Sequence, residues 1–374
     1  MTDRPISSRT RGVIGAPTTV SSAAAFAGKR VFVTGHTGFK GSWLCEWLLG
    51  LGADVTGYSL PPPTKPSLFE QLGLSRRLKH ILGDVRDQKR LITAMMAARP
   101  HYVFHLAAQP IVLAAYAGPV DTWATNVMGT LNLLEGLRSL KDPCATVIVT
   151  TDKVYGRQPR THREGHGLSA HEPYGASKAA VELAVQAWRE SFGIAKLATA
   201  RAGNVIGGGD WASDRLFPDC MRALSKGRPI VLRHPLAVRP WQHVLDPLHG
   251  YLMLAVHLQC SKGPKGIDRD AHGDLAFNFG PSAGDHRSVK EIVSAILKLW
   301  PGTWVKAPGA TTAVETQILR LDAGKARRVL GWRPRWHFEE AVSKSVEWYR
   351  GATTPIAALE ITRSQIAAFS ANLP

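Results

Sequence analysis

Residues 149–156 read VTTDKVYG and residues 174–178 read YGASK. The first stretch ends an apolar run on a hydroxyl, a carboxylate and an ammonium in succession, Thr151, Asp152 and Lys153. The second sets Tyr174 and Lys178 four residues apart, on one face of a helix. A tyrosine serves as a base only if its pKa of ~10 falls towards 7, a shift worth ~4 kcal/mol. A nearby ammonium pushes in that direction, and so does the positive ring of an oxidised nicotinamide. The chemistry these types can do together is proton removal from a hydroxyl during hydride transfer, with acid–base work by the triplet.

A cofactor loop stands upstream. VFVTGHTGFKGSWL (31–44) spaces Gly35, Gly38 and Gly41 three apart between a strand and a helix. Glycines there allow a tight turn, close approach of backbone N–H groups to a pyrophosphate, and close helix–sheet packing. The helix N-terminus adds partial positive charge. The acidic residue expected at the end of the second strand to hold the ribose of NAD is missing from VTGYSLPPPT (55–64). Lys40 in the loop offers a cation for a 2′-phosphate instead, so the residues alone leave NAD and NADP both open. In GDVRD (83–87), Asp84 is placed to accept from an adenine amino group with Val85 on the ring; the competing reading is a helix cap. Ala107 and Ala108 of HLAAQP (105–110) let the chain pass close to a cofactor, and His105 reads as a core histidine.

The elements that must position these residues follow from the alternation. β-branched runs at 30–35, 54–59, 80–84, 102–108, 146–152 and 196–203 alternate with helical stretches near 42–50, 88–98, 120–139 and 174–192. That rhythm predicts an α/β fold with a doubly wound, Rossmann-like parallel sheet. Ligands then sit at the carboxyl ends of the strands, where 151–153 fall. After about residue 205 the rhythm breaks, with short strands at PIVLR and AFNFG (276–280) and helices near 246–258, 288–299 and 338–350, which predicts a smaller α+β substrate lobe. The expected division is a disordered extension over 1–27, a dinucleotide-binding domain over 28–205 and a substrate lobe over 206–374, with 238–260 returning to the first domain.

Composition narrows the class. The 374 residues are 44% apolar and 20% charged, ordinary for a globular protein. No apolar run approaches the ~20 residues that span a bilayer. Cys45, Cys144, Cys220 and Cys260 form no C-x-x-C pair, which argues against a disulfide framework or a zinc site and fits a reducing, cytoplasmic compartment. The net charge of +17 comes from scattered basic residues without an aromatic-interleaved stripe, so it reads as a surface suited to a phosphate-bearing substrate and not to nucleic acid.

The glycine loop, TDKVY (151–155) and Y-x-x-x-K together resemble an extended short-chain dehydrogenase/reductase acting on nucleotide sugars. GHTGFKGSWL, PSLFE (66–70), HLAAQP, TNVMGT (125–130), RAGNVIGGGDW (201–211), RPWQHVLDPL (239–248) and NFGP (278–281) resemble its CDP-glucose 4,6-dehydratase branch, over residues 29–350. The resemblance implies a redox-neutral cycle with tightly held NAD. Tyr174, helped by Lys178 and Thr151, removes the sugar 4-hydroxyl proton as hydride leaves. Water is lost across carbons 5 and 6 with Asp152 as general acid, and hydride returns to carbon 6. Thymidine diphosphate-glucose dehydratases carry glutamate at the place of Lys153, as the carbon-5 base; a lysine there acts after losing its proton or electrostatically on the enolate. The resemblance also implies cofactor contacts from Thr37, Phe39, Lys40 and Leu106. It gives substrate contacts from Gln109, from Asn204 and Arg215 at the diphosphate, and from Arg239 and Gln242 nearby. It implies a homodimer built from the helices near 120–139 and 174–192. Three departures bear on the sugar nucleotide: Leu113 where the branch has arginine, prolines for the aspartate after the second strand, and a shortened GRQPRTH (156–162). A nucleotide-sugar 4-epimerase is the competing enzyme, against which Asp152 beside Lys153 argues. A cofactor-retaining binding protein is the non-enzymatic alternative, and the intact Thr151/Asp152/Tyr174/Lys178 set argues against it.

Overall fold

The computed structural model describes residues 22–260, 275–308, 317–371 and 373. The runs RVFVT, YVFH and ATVIV are β-branched and aromatic almost throughout, and every residue in them except Arg30 is buried, as strands covered on both faces must be. They belong to a main sheet of β1 (Arg30–Thr34), β2 (Asp54–Ser59), β3 (Lys79–Leu82), β4 (Tyr102–His105), β5 (Ala145–Val149), β6 (Leu197–Ala202) and β7 (Ala276–Phe279). The spatial order is β7-β6-β5-β4-β1-β2-β3 and every pairing is parallel. The chain winds outward from β1 to β3, then crosses back to β4 and winds the other way. The crevice therefore opens at the carboxyl ends of β1 and β4, where Thr34 pairs with His105.

Alternate residues of β1 feed opposite faces. Val31 and Val33 meet Trp43, Leu44 and Leu48 of α1 (Phe39–Gly50) on one side, while Phe32 faces the other side with Leu91 and Met95 of α2 (Gln88–Ala98). That second face is completed by α3 (Pro119–Trp123), α4 (Gly129–Ser139) and α5 (Pro173–Phe192). The second lobe has its own apolar cluster, Phe217 and Met221 of α6 (Leu216–Leu224) against Ile292, Ile296, Phe338 and Val342. Helix α7 (Leu245–Cys260) packs Leu248, Tyr251 and Leu252 into the first face of the main sheet; α8 (Val289–Leu299) and α9 (Phe338–Gly351) stay in the second lobe, and α10 (Pro355–Ser370) ends the fold.

Four features differ from the sequence reading. AFNF is the edge strand of the main sheet, pairing Phe277 with Ala200, because a four-residue apolar run carries no signal of which sheet it joins. The long helix expected over 120–139 is broken by a π-helical turn, Ala124–Met128. Of the extension expected to be disordered, residues 1–21 lie outside the described residues, but Ser22–Phe26 is helical and the fully buried Phe26 ring lies 4.6 Å from that of Tyr102. Helix α10 had no counterpart in the reading; its Phe369 packs on Trp47 at 5.7 Å and its Arg363 donates to Glu46 at 2.8 Å. No described helix is long and apolar enough to cross a membrane.

Candidate active site

Gly35 ends β1 at φ +73°, where an L side chain is strained, and an added Cβ would lie 2.6 Å from the backbone nitrogen of Ala107. The two strand ends are locked together: Leu106 N–H donates to Thr34 O at 3.1 Å and Ala107 N–H to Thr34 Oγ1 at 3.2 Å. Leu106, Ala107 and Ala108 are partly exposed beside this junction. Gly41 is glycine for packing, since a Cβ there would run into the Gly35 carbonyl. Gly38 is different. Its φ is −79° and an added Cβ would meet only Gly35 O, at an ordinary 3.4 Å. It is the N-cap of α1 and brings no capping side chain, so the first-turn N–H groups of Phe39, Lys40 and Gly41 have no side-chain acceptor. Nothing in the protein requires Gly38 to be bare. A pyrophosphate resting on the helix N-terminus would.

The ribose and adenine end is built by β2 and β3. Thr37 Oγ1 lies 2.9 Å from Ser59 Oγ and donates to Leu60 O at 3.0 Å, closing the end of β2 where no acid stands. Asp84 accepts from Arg86 N–H at 2.9 Å and from the Arg86 guanidinium at 2.7 Å, and these hydrogen bonds hold its carboxyl below the usual range. Asp84 is not the cap of the next helix; Asp87 is, accepting from Arg90 N–H at 3.1 Å. The Val85 side chain is buried against Gly129, and its carbonyl accepts from Asn132 Nδ2 at 2.9 Å.

Lys40 departs from expectation. Its ammonium lies 3.4 Å from Tyr251 Oη of α7 and within electrostatic reach of Arg215, Asp152, Lys178 and Asp210. The side chain is directed at the catalytic strand ends and away from the end of β2, so the 2′-phosphate role has no geometric basis. His105 is a satisfied core histidine, between Thr34 Oγ1 at 2.7 Å and Thr130 Oγ1 at 3.0 Å, and burial takes it down to about 3.

At the end of β5, Thr150 and Thr151 are buried and the chain turns into a 3₁₀ segment, Asp152–Tyr155, capped by Thr151. Thr151 Oγ1 donates to Asp152 Oδ1 at 3.1 Å and accepts from Lys153 N–H at 3.3 Å. Asp152 Oδ2 is enclosed and has no hydrogen-bond partner among the described residues. Burial raises the Asp152 pKa, against the pull of Lys153, Thr151, Arg239 and Lys40. Lys153 is half-buried beside it. Helix α5 begins at Pro173 with Glu172 as N-cap, accepting from Tyr174 N–H at 2.8 Å and Gly175 N–H at 2.7 Å, and this sets the first turn that carries Tyr174. Lys178 Nζ donates to Val149 O at 3.0 Å, which ties α5 to the last residue of β5. The opening pattern is thus brought into one cleft. The energetics contrast with the simple expectation for the tyrosine: in the protein alone, burial pushes the Tyr174 phenol up to about 12, with Thr151 and Arg215 pulling back, and burial takes Lys178 down to about 8.

Two residues that position the site escaped the sequence reading. Glu172 is one, although Glu followed by Pro ahead of a helical run is a readable start signal. Asn126, in the π turn, is the other: its Oδ1 accepts from Gln109 N–H at 2.8 Å and its Nδ2 donates to Ser177 Oγ at 2.9 Å. Its partners, Gln109 and Ser177, lie in separate segments far from it in the chain.

In the second lobe the expected substrate residues divide. Asn204 is half-buried just past β6, Arg215 caps the start of α6 with Asp210 at 3.2 Å, and the buried Arg239 is near enough to Asp152 to lower its pKa. Arg215 and Arg239 lie within electrostatic reach of Tyr174 and Asp152 respectively. Gln109 differs from expectation because both ends of its amide brace the fold, whereas Gln242 is held through its nitrogen and its buried Oε1 has no partner among the described residues. Gln109 Oε1 accepts from Ile111 N–H at 2.6 Å and its Nε2 donates to Thr122 at 2.9 Å, while Gln242 Nε2 donates to Phe279 O at 2.8 Å.

Known proteins match this arrangement. Residues 31–267 fit the description of the NAD dependent epimerase/dehydratase family. The chain is 42% identical over 336 residues to CDP-glucose 4,6-dehydratase of Salmonella typhimurium, covering 86% of this chain and 91% of that protein. It is 26% identical to dTDP-glucose 4,6-dehydratase of the same organism, over 87% and 93% of the two chains. The structure of UDP-glucose 4-epimerase from Thermus thermophilus in complex with NAD superposes with a TM-score of 0.74 at 26% identity, over 87% of this chain and 100% of that one. With an uncapped glycine loop at the switch point and a Tyr/Lys pair facing it across the cleft, the chain belongs to the NAD dependent epimerase/dehydratase family.

Proposed function

We propose that the chain is a nucleotide-sugar 4,6-dehydratase that converts a nucleoside-diphosphate hexose, CDP-glucose foremost, into its 4-keto-6-deoxy sugar with NAD as resident cofactor. The observation that carries this reading is Asp152, an enclosed carboxyl biased by burial towards its protonated form, with one oxygen unengaged, in the same cleft as Tyr174 and Lys178. Epimerisation at carbon 4 needs a tyrosine and a hydride acceptor; loss of water needs, in addition, an acid for the departing hydroxyl.

The bare Gly38 and the uncapped first turn of α1 fit a dinucleotide pyrophosphate, with Asp84 towards the adenine and Leu106–Ala108 along the nicotinamide side. Lys40, turned to Tyr251, favours NAD over NADP by leaving the ribose end of the loop without its ammonium. When bound, NAD would supply the hydride acceptor for carbon 4 and the hydride returned to carbon 6. Tyr174 takes the 4-hydroxyl proton, with the Thr151 hydroxyl beside it; a phenol held up to about 12 is a strong base once ionised, and Arg215 already favours the phenolate. The 4-ketone acidifies the carbon-5 hydrogen, and Lys153 stands next to Asp152 to remove it or to stabilise the enolate. Asp152 gives its proton to the 6-hydroxyl as it leaves. Arg215, Arg239 and Asn204 hold the diphosphate.

The subunit arrangement in this reading is a homodimer. Val120, Trp123, Met128, Leu183 and Phe192 on α3, the π turn and α5 are large apolar side chains left exposed on neighbouring elements, a patch that a second copy of the same face covers. Free cysteines fit a cytoplasmic setting.

The test is incubation of the purified chain with CDP-, dTDP-, UDP- and GDP-glucose without added reductant, scoring alkali-sensitive 4-keto product. CDP-glucose is expected to be converted with no net consumption of NAD. Stoichiometric NAD consumption, or a carbon-4 epimer formed without loss of water, overturns the reading.

A further inference from the structure

Three of the cations around the cleft are anchored. Arg215 has Asp210 at 3.2 Å, Arg239 donates to Val238 O at 2.8 Å, and Lys178 donates to Val149 O at 3.0 Å with Glu182 of the same helix nearby. Lys40 has no carboxylate within ion-pair distance among the described residues. Its hydrogen bond goes to Tyr251 Oη at 3.4 Å, with its ammonium 5.8 Å from the centre of that ring. Tyr251 is fully buried and burial pushes its phenol up, so the oxygen accepts from the ammonium as a neutral group and leaves the charge uncompensated. Burial takes Lys40 itself down to about 7, with Arg215 and Lys178 adding to the effect and Asp152 and Asp210 opposing it. An ammonium in this condition is stabilised by an anion, and the pyrophosphate position at the first turn of α1 supplies one.

The backbone of Lys40 belongs to that first turn, while its ammonium reaches the neighbourhood of Asp152 and Lys178, and its phenol partner feels Tyr174. A dinucleotide whose pyrophosphate rests on α1 and whose reactive ring meets a sugar carbon held at Tyr174 must cross the same interval. We propose that Lys40 is a charge-tuning residue that biases the bound nicotinamide towards its reduced form and so favours the first oxidation at carbon 4. The oxidised ring carries a unit positive charge and the reduced ring none, so a fixed ammonium close by disfavours only the former. The diphosphate interacts equally with Lys40 in both oxidation states, so the difference survives its neutralising effect. This inference rests on the dehydratase reading for the identity of the cofactor and the place of carbon 4.

The experiment measures Kd for NAD⁺ and for NADH on the full chain without sugar nucleotide, in the wild type, Lys40→Met, Lys40→Gln and Lys40→Arg. Even ~12 Å apart, two unit charges at an effective dielectric constant of about 20 change a binding ratio by on the order of 10-fold. Removal of the charge is therefore expected to strengthen NAD⁺ relative to NADH by ~10-fold, while Lys40→Arg keeps the wild-type ratio. If both affinities shift together in the neutral variants, Lys40 is a diphosphate contact or a packing residue and the proposal is overturned. The glutamine variant keeps the ratio measurable should the methionine variant fold poorly, with thermal unfolding as the control. A wild type that binds neither dinucleotide sinks the dehydratase reading itself, an outcome distinct from an unchanged ratio.

Discussion

Asp152 and Tyr174 share a cleft and are pushed in the same direction by burial, yet the proposed chemistry needs opposite forms of them. Burial favours the protonated carboxyl that the elimination uses and opposes the phenolate that the oxidation uses. The rates of the two steps should therefore respond to pH with opposite signs: water loss falls as pH rises through the raised Asp152 pKa, and oxidation at carbon 4 rises with pH. Lys153 enters here. Burial dominates Asp152, and Lys153 is the first of the groups that pull it back down. Lys153→Ala should move the decline of water loss to higher pH and, if the lysine is the carbon-5 base, slow exchange of the carbon-5 hydrogen with solvent deuterium. Single-turnover measurement of exchange and of water loss across pH decides this. An unmoved limb with normal exchange makes Lys153 a bystander.

Among the elements, the turn from β1 into α1 separates two uses of glycine. Gly35 is required by the protein, through its φ of +73° and the backbone of Ala107 at 2.6 Å from an added Cβ. Gly38 has ordinary dihedrals and open space. Gly35→Ala is expected to lower stability by more than ~1 kcal/mol, the cost of a left-handed L residue before any clash. Gly38→Ala should cost at most ~1 kcal/mol, the penalty of a poorer N-cap. It should nonetheless weaken NAD by ~10-fold or more, a loss of about 1.4 kcal/mol. Calorimetry and dinucleotide titration on the two variants check the pair; a Gly38→Ala protein that binds NAD normally places the pyrophosphate elsewhere. The same turn shows how far local pattern reaches. The glycine spacing marks the strand, the turn and the helix, but it does not say that the Lys40 side chain leaves the loop for a tyrosine more than two hundred residues away.

For the whole molecule, the exposed apolar face is the feature a lone chain leaves unexplained. Val120 is 79% and Leu183 60% exposed, on adjacent helices that also carry Trp123 and Phe192. A soluble monomer gains nothing from that grouping, whereas a two-fold contact buries each copy's patch against the other. Leu183→Glu combined with Val120→Glu is expected to convert a dimer to a monomer in sedimentation equilibrium, with the fold retained by circular dichroism. A wild type that sediments as a monomer rejects the dimer outright.

The sequence by itself determined the alternating core. Uninterrupted β-branched runs such as ATVIV, interleaved with amphipathic segments, can be buried on both faces only in a parallel sheet with helical cover. It also determined the chemistry of the cleft, because glycines before a helix and a Tyr/Lys pair at helical spacing are local patterns whose meaning survives without coordinates. What the tertiary structure decided depends on groups far apart in the chain. AFNF joins the main sheet because β6 offers an open parallel edge, and Phe369 folds back onto Trp47 because α1 has apolar surface left to cover. Gln109 turns from a candidate substrate contact into a brace because its amide finds partners at Ile111 and Thr122, nearer than the cleft. The pKa of Tyr174 was beyond the sequence for the same reason: the spacing to Lys178 gives its sign of attraction, but only the packed cleft sets the desolvation that opposes it.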